Sequence, residues 1–187
     1  MPSVFSHAVV AGSLGAALWR PRISRRCLVA GMICAALPDA DYIGYRLGVA
    51  YGSLLGHRGL THSLPFAVVV AAAAAFWCVG RSSPGARWWS VWSYLFVATA
   101  SHGILDAMTT GGLGVAFFSP FSNARYVFPW TPILISPLGI RPFISERGLR
   151  VLASELKWLW IPSAVLVLVA AVVRRRIARV PSGRALH

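Results

Sequence analysis

"HRGLTHSLPFAVVVAAAAAF", residues 57–76, sets two histidines, an arginine and two hydroxyl groups directly against one of the most apolar stretches of the chain. The apolar run 64–79 opens on Ser63 and Pro65, an N-cap residue followed by a proline in the first turn, and so reads as a helix. The polar cluster therefore stands at a helix end. Similar apolar runs occupy residues 4–19, 27–37, 91–105 and 158–173, each bounded by Arg, Pro, Gly or Trp. The chain has 187 residues, of which 57% are hydrophobic and only 12% charged, with a mean hydropathy of +0.65. That balance excludes an ordinary soluble domain and implies an integral membrane protein.

The fold expected is all-α, a polytopic membrane helical bundle with about five membrane-embedded helices. Each run is slightly short, since about 16 residues at roughly 1.5 Å rise cover about 24 Å of a roughly 30 Å core. Flanking Trp and Arg belong in the interface. The run 27–37 spans fully only by borrowing residues 23–26 and 38–43; otherwise it is a half-buried helix. With no internal repeat or linker, residues 1–187 form a single domain, and 174–187 form a basic tail. The segment 107–153, rich in Phe, Pro and Trp, is either a cover or access path along the interface or an irregular packed loop. From Ser145 onward, "SERGLRVLASELKWLW" reads as an N-capped amphipathic helix feeding the last span.

Arginines set the expected orientation. Segments 20–26, 80–89 and 174–187 hold 11 of the 18 Lys+Arg in 31 residues, whereas 38–63 and 106–157 hold the other seven in 78 residues. The dense side is expected to be cytoplasmic, with the N-terminus outside and the C-terminus inside. The net charge of +13 is then an orientation signal that also attracts the rim to anionic lipid. The arginines lie at loop ends without a reader motif, so no nucleic-acid partner is expected. "SRRCLVAG" (24–31) resembles a twin-arginine signal, yet no charge precedes residue 20 and the basic cluster follows the first run, which argues against cleavage. Cys27, Cys34 and Cys78 are odd in number and form no CxxC; they read as buried small hydrophobes.

The ionisable residues are scarce and gathered. His7 lies near the start of the first run, Asp39 and Asp41 close the second, His57 and His62 precede the third, and His102 and Asp106 end the fourth. In the topology drawn from arginines alone, all seven fall on the non-cytoplasmic side. Ionisable groups at a bilayer are expensive and mark function by default. Helical spacing groups His7 with Ala11 and Gly15, Asp39 with Gly31 and Ala35, and His102 and Asp106 with Leu95 and Ala98. Small residues at that spacing let helices approach closely, so the polar groups top inward faces. Taken singly, each has a structural reading: a hydrogen-bonded pair, a terminal surface residue, a turn. His187, in the polar tail, reads as solvated.

Imidazole and carboxylate without thiolate suit a divalent metal, with zinc the first expectation and manganese an alternative. Seven candidates exceed one tetrahedral shell, so two ions are expected, activating water for attack on a phosphoester. Arg58 and Arg125 can each contact a phosphate oxygen or anchor to lipid phosphate. Thr61 and Ser63 read as structural.

The motifs "HAVVAG", "LPDADYI", "HRGLTHS" and "SHGILDAMTTGG", in this order between apolar runs and continuing through "SPFSNARY", resemble the YdjM-like membrane-bound metal-dependent hydrolases over residues 7 to 126. That family in turn looks distantly similar to zinc-dependent phospholipase C and the P1-type nucleases. The resemblance implies that His7, Asp39, Asp41, His57, His62, His102 and Asp106 are metal ligands or their immediate partners. Asp39, His62 and Arg58 are the expected catalytic residues, and Arg58 and Arg125 the expected substrate contacts. The function implied is hydrolysis of a phosphoester, lipid-borne or otherwise, in the cell membrane of a bacterium or archaeon. Two other readings compete: a non-catalytic protein whose helix ends are stapled by metal, and a transporter using the His/Asp cluster.

Overall fold

A computed structural model describes residues 1–20, 22–80, 85–137 and 143–179. Arg81, Arg141, Arg184 and His187, and the tail beyond residue 179, lie outside the described residues. The architecture is helical; among the described residues the only β features are isolated bridges, Thr109 to Ile133 and Val115 to Tyr126.

Helix α1, Val4–Leu14, continues through a π turn at Gly15–Trp19. Helix α2, Arg25–Ala36, is capped by Ser24, whose hydroxyl accepts from the Cys27 N–H at 3.2 Å. It tightens into a 3₁₀ turn at Leu37–Asp41, where Pro38 sits in the first turn, and leads into α3, Tyr42–Arg46. A 3₁₀ turn at Leu60–His62 precedes α4, Leu64–Val79. Ser63 caps α4 as the sequence suggests, accepting from the Phe66 N–H at 3.2 Å. Helix α5 is Ala86–Ala107, α6 is Glu146–Glu155, and a π turn at Leu156–Trp160 joins α6 to α7, Ile161–Arg179.

Helix α5 is the hub, packed against α1, α2 and α4. Tyr94, on α5 and fully buried, donates its hydroxyl to the carbonyls of Leu28 at 3.0 Å and Ala11 at 3.3 Å. The helices come this close because their facing residues are small: Ala11, Gly15, Gly31, Ala35, Ala71 and Ala75 are all buried. A Cβ on Gly15 would meet the Tyr94 ring at 2.5 Å, and one on Gly31 would strike the same ring. The small-residue faces read from helical spacing are therefore the packing faces.

Among the described residues, two helices are long and apolar enough to cross a membrane: Arg25–Arg46 and Glu146–Arg179. Val4–Trp19 and Leu64–Val79 are shorter apolar helices. The short run 27–37 gains its length by borrowing residues on its C-terminal side, through the 3₁₀ turn and α3. The last apolar run and the amphipathic stretch before it form one helix of 34 residues with only 11% of its most apolar window buried, so Val165, Leu168 and Val169 face outward. Arg174 ties its lower part to α1 by donating to the Ala17 carbonyl at 2.8 Å.

Part of the segment after α5 is packed, while Phe121, Val127, Trp130 and Ile144 within it stay exposed. Val115, Ala116 and Ile133 are buried, and the backbone is bonded to the Arg58, Leu64 and Ala107 positions through Ala116, Phe117 and Phe128. Cys27 and Cys34 are buried and Cys78 half-buried, all three free thiols.

Candidate metal centre

The start of α1, the end of α2, the approach to α4 and the end of α5 meet at one end of the bundle, because antiparallel neighbours alternate their ends. His7 comes from α1, Asp39 and Asp41 from the 3₁₀ turn after α2, and His102 and Asp106 from one face of α5. His57 and Arg58 come from the loop before α4, and His62 from its last 3₁₀ turn. The seven histidines and aspartates all are buried, none more than 9% exposed. The structure thus gathers every residue of the set that the sequence proposes as ligands.

Their donor atoms form three overlapping groups that could hold an ion: His7 with His102 and Asp106; Asp39 with His62 and His102; and Asp41 with His57 and His62. The rings of His7 and His102 stack with centroids 3.7 Å apart. His102 Nδ1 donates to the Ala35 carbonyl at 2.7 Å, which leaves Nε2 with a lone pair directed at the cluster. His62 Nε2 lies 3.0 Å from His102 Nε2, 3.4 Å from Asp106 Oδ2 and 4.0 Å from Asp39 Oδ1. Burial alone would push the His62 imidazole down, but the Asp106 and Asp41 carboxylates on either side outweigh it and push the ring up to about 9.

Satisfaction divides the cluster in two. Asp41 is fully used: it accepts from His57 Nδ1 at 2.6 Å, from the Thr61 hydroxyl at 2.7 Å and from the Arg58 N–H at 3.2 Å. Both ring nitrogens of His7 and both carboxylate oxygens of Asp39 and Asp106 are buried without an aligned hydrogen bond. His7 Nε2 is 3.5 Å from Asp106 and His102 Nε2 is 3.3 Å from Asp39, near neighbours that are not aligned as hydrogen bonds. Buried polar atoms without partners cost free energy. A cation among them would satisfy imidazole nitrogens and carboxylate oxygens together, so this donor set fits a divalent metal.

The two arginines turn inward. Arg58 is 1% exposed and adopts the left-handed backbone, φ 63°, uncommon outside glycine. Its Nη1 donates to the Gly111 carbonyl and its Nη2 to the Thr109 hydroxyl, both at 3.0 Å, while Nε stands 3.1 Å from Asp106 Oδ2. Gly112 must be glycine here, since φ is +101° and a Cβ would lie 2.5 Å from Arg58 Nη1. Arg125 donates to backbone carbonyls of His57 and Tyr51 at 3.1 Å and of Gly114 at 3.3 Å. In this geometry Arg58 holds Asp106, and Arg125 braces the loop that carries His57 and Arg58.

Sequence reasoning missed Glu155. This fully buried carboxylate of α6 accepts from the Ser3 N–H at 2.5 Å, the Ser3 hydroxyl at 2.6 Å and the Ser6 hydroxyl at 2.7 Å. Trp160 Nε1 adds a bond to the Ser6 hydroxyl at 2.7 Å. Together they pin the start of α1, and hence His7, to the last helix. The available signal was an acid flanked by apolar residues, "ASELKW", on a helix otherwise continuous with a span.

Comparison with known proteins agrees with the membrane reading. The family model described as YdjM inner membrane protein matches residues 1–179. The chain is 42% identical over 172 residues to inner membrane protein YbcI of Escherichia coli (strain K12), which covers 89% of this chain and 95% of that protein. No solved structure matches, so the distant similarity to zinc-dependent phospholipase C and P1-type nucleases gains no support.

Proposed function

We propose a membrane-set function for this chain, which belongs to the YdjM inner membrane protein family: metal-dependent hydrolysis of a phosphoester at the buried His/Asp centre. The observation that carries it is the set of orphaned donor atoms on His7, Asp39 and Asp106 around the His102 lone pair. His7, His102 and Asp106 would hold a divalent cation, zinc or manganese, with Asp39 and His62 on its other side. When bound, such an ion supplies Lewis-acid polarisation and charge neutralisation for attack on phosphorus.

The remaining work belongs to the protein. Asp39, with both oxygens free, orients the attacking water and takes its proton. His62 is held through Nδ1 by Asp41 at 3.2 Å and presents Nε2 to the centre, from where it gives a proton to the leaving oxygen. As the water oxygen bonds to phosphorus, the P–O bond to the leaving alcohol breaks and that alcohol departs neutral. Arg58 is a positioning residue, fixing Asp106 from behind. The packed loop around Val115 and Ala116 keeps bulk water from this end.

The same reading sets the centre at the non-cytoplasmic ends of a bundle of about five membrane-embedded helices, with the C-terminus cytoplasmic by the arginine asymmetry. The test is metal analysis of purified protein together with phosphodiester and phospholipid hydrolysis. Asp39→Ala and His102→Ala should lower both bound metal and turnover; unchanged metal content and turnover in both variants would sink the proposal. A second reading, a metal staple without catalysis, is favoured by the convergence of ligands from α1, α2 and α5. It wins if removing metal melts the fold while no phosphoester is turned over.

A further inference from the structure

A groove of about 450 Å³ opens beside the first residues of α1, lined by Val4, Phe5, Tyr42, Phe143 and Ile144, with Asp39 also in its lining. Its volume lies in the range of small-molecule sites, roughly 300–1,000 Å³. Phe5 and Ile144 are 67% and 79% exposed, so the walls continue outward to the surroundings of the bundle, which for a membrane protein are lipid. The inner end has the opposite character. Asp39 is 7% exposed, neither of its oxygens has a hydrogen-bond partner, and it lies 3.3 Å from His102 in the metal centre. An exposed cation lies next to one lining residue: Arg46, one turn beyond Tyr42, points Nη1 at the Tyr42 hydroxyl, 3.5 Å away.

Apolar walls that reach a buried carboxylate of the candidate metal centre, with an arginine beside the lining residue Tyr42, match one kind of ligand, an amphiphile with a hydrocarbon tail and an anionic head. Two other cavities among the described residues lack one half of this. The one beside Thr110, Arg147 and Arg150 and the one between Val10 and Trp158 contain none of the orphaned carboxylates. We infer that the groove receives the hydrocarbon chain of a phosphate-bearing membrane lipid and delivers its headgroup to Asp39 and the metal centre. The inference rests on the phosphoester reading above and supplies its substrate class.

The full chain is reconstituted in vesicles of phosphatidylethanolamine and phosphatidylglycerol doped with phosphatidic acid that carries a diazirine on one acyl chain. After irradiation, adducts are mapped by mass spectrometry, and a neutral diacylglycerol with the same diazirine serves as the headless comparison. Adducts of the phosphatidic acid should concentrate on Val4, Phe5, Tyr42, Phe143 and Ile144. They should fall by about tenfold in Val4→Trp, which fills the groove, with bound metal unchanged. Ile144→Ser, which removes apolar wall from a residue 79% exposed without adding a charge, should give a loss in the same direction if Val4→Trp fails to fold. Adducts spread evenly over the outward face of α7, groove labelling indifferent to both variants, or equal labelling by the neutral lipid would each overturn the inference. Phosphate release is read on the same samples. Groove-selective labelling without release overturns the hydrolase reading but leaves the lipid site; release from a soluble phosphoester without groove labelling overturns the lipid site alone.

Discussion

Replacing Arg58 by methionine keeps most of an unbranched side-chain stem and removes only the guanidinium, so it isolates what that group holds. Asp106, whose side chain is fully buried, loses a partner at 3.1 Å, and the Thr109 hydroxyl and Gly111 carbonyl lose donors at 3.0 Å. Breaking one side of a buried pair costs about 3–5 kcal/mol, and here His62, 3.4 Å from Asp106 Oδ2, offsets only part of the lost charge. At about 2–4 °C per kcal/mol for a chain of this size, the metal-free protein should melt roughly 6–20 °C lower. With zinc in excess, Asp106 regains a positive neighbour, and the cost should shrink to about 1–2 kcal/mol, the share of the two lost hydrogen bonds. Thermal unfolding in detergent micelles, with chelator and then with zinc, reads both values. Arg58→Lys should fall between, since it restores charge without the planar fork. An equal loss with and without zinc, or less than about 1 kcal/mol in chelator, would refute the reasoning that Asp106 is shared between Arg58 and a cation.

Other expectations test the packing and the charges around the centre. Gly31→Ala drives a methyl into the fully buried Tyr94 ring and should destabilise by about 1–3 kcal/mol, with Tyr94→Leu restoring part of it in the double variant; an unchanged melting temperature would contradict the close approach of α2 and α5. Glu155→Gln swaps the acceptor of three bonds from Ser3 and Ser6 for a group that is partly a donor, so bound metal should fall although Glu155 is not a ligand, because α1 no longer fixes His7; full metal occupancy would remove that link. The His62 imidazole, pushed up to about 9, contributes stability that is fully present below about 6.5 and is lost as pH rises through 9. In chelator the melting temperature should therefore fall between those values, whereas zinc-loaded protein, whose ligands bind better deprotonated, should hold or rise; a parallel fall in both would show that the ring carries no such proton.

How much of this was legible in the sequence follows from what kind of interaction each feature uses. The helices and their packing faces were readable, because Ala11, Gly15, Gly31, Ala35 and Ala98 repeat at helical spacing and that spacing alone decides which side is thin. The seven polar residues were readable because acids and histidines are so rare here that their position at run ends stands out. The length of the helix at 27–37 was readable only as one of two alternatives, since "PDAD" on composition also reads as the end of a helix, and α2 instead continues through it as a 3₁₀ turn. Arg58 was misplaced in emphasis for a related reason. Its left-handed backbone and the glycine at 112 that makes room for its guanidinium arise from contacts about 50 residues apart in the chain, which no local pattern encodes. Glu155 is the same case: the serines it binds lie at the opposite end of the sequence.

The number of ions follows from which nitrogens remain to bind them. His102 Nδ1 carries a proton to the Ala35 carbonyl, so this ring offers a single lone pair, and the two groups that include it must share one ion between them. The third group, Asp41 with His57 and His62, is already closed by hydrogen bonds at 2.6 and 2.7 Å, and an ion there would have to displace the His57 and Thr61 protons from Asp41. Displacing two bonds of this charge-assisted kind costs about 3–6 kcal/mol together, enough to weaken a second site by about a hundredfold to ten-thousandfold relative to the first. On the metal reading, the seven candidates divide into a ligand set and a supporting set: His7, His102 and Asp106 would hold the cation with Asp39 beside it, and Asp41 with His57 orients His62 from behind. Calorimetric titration of metal-free protein with zinc should show one tight equivalent followed by a distinctly weaker one. His57→Ala should then leave the tight equivalent nearly intact, while His7→Ala removes it; two equivalents of equal affinity, both lost with His57→Ala, would restore the paired-ion arrangement suggested by counting ligands alone.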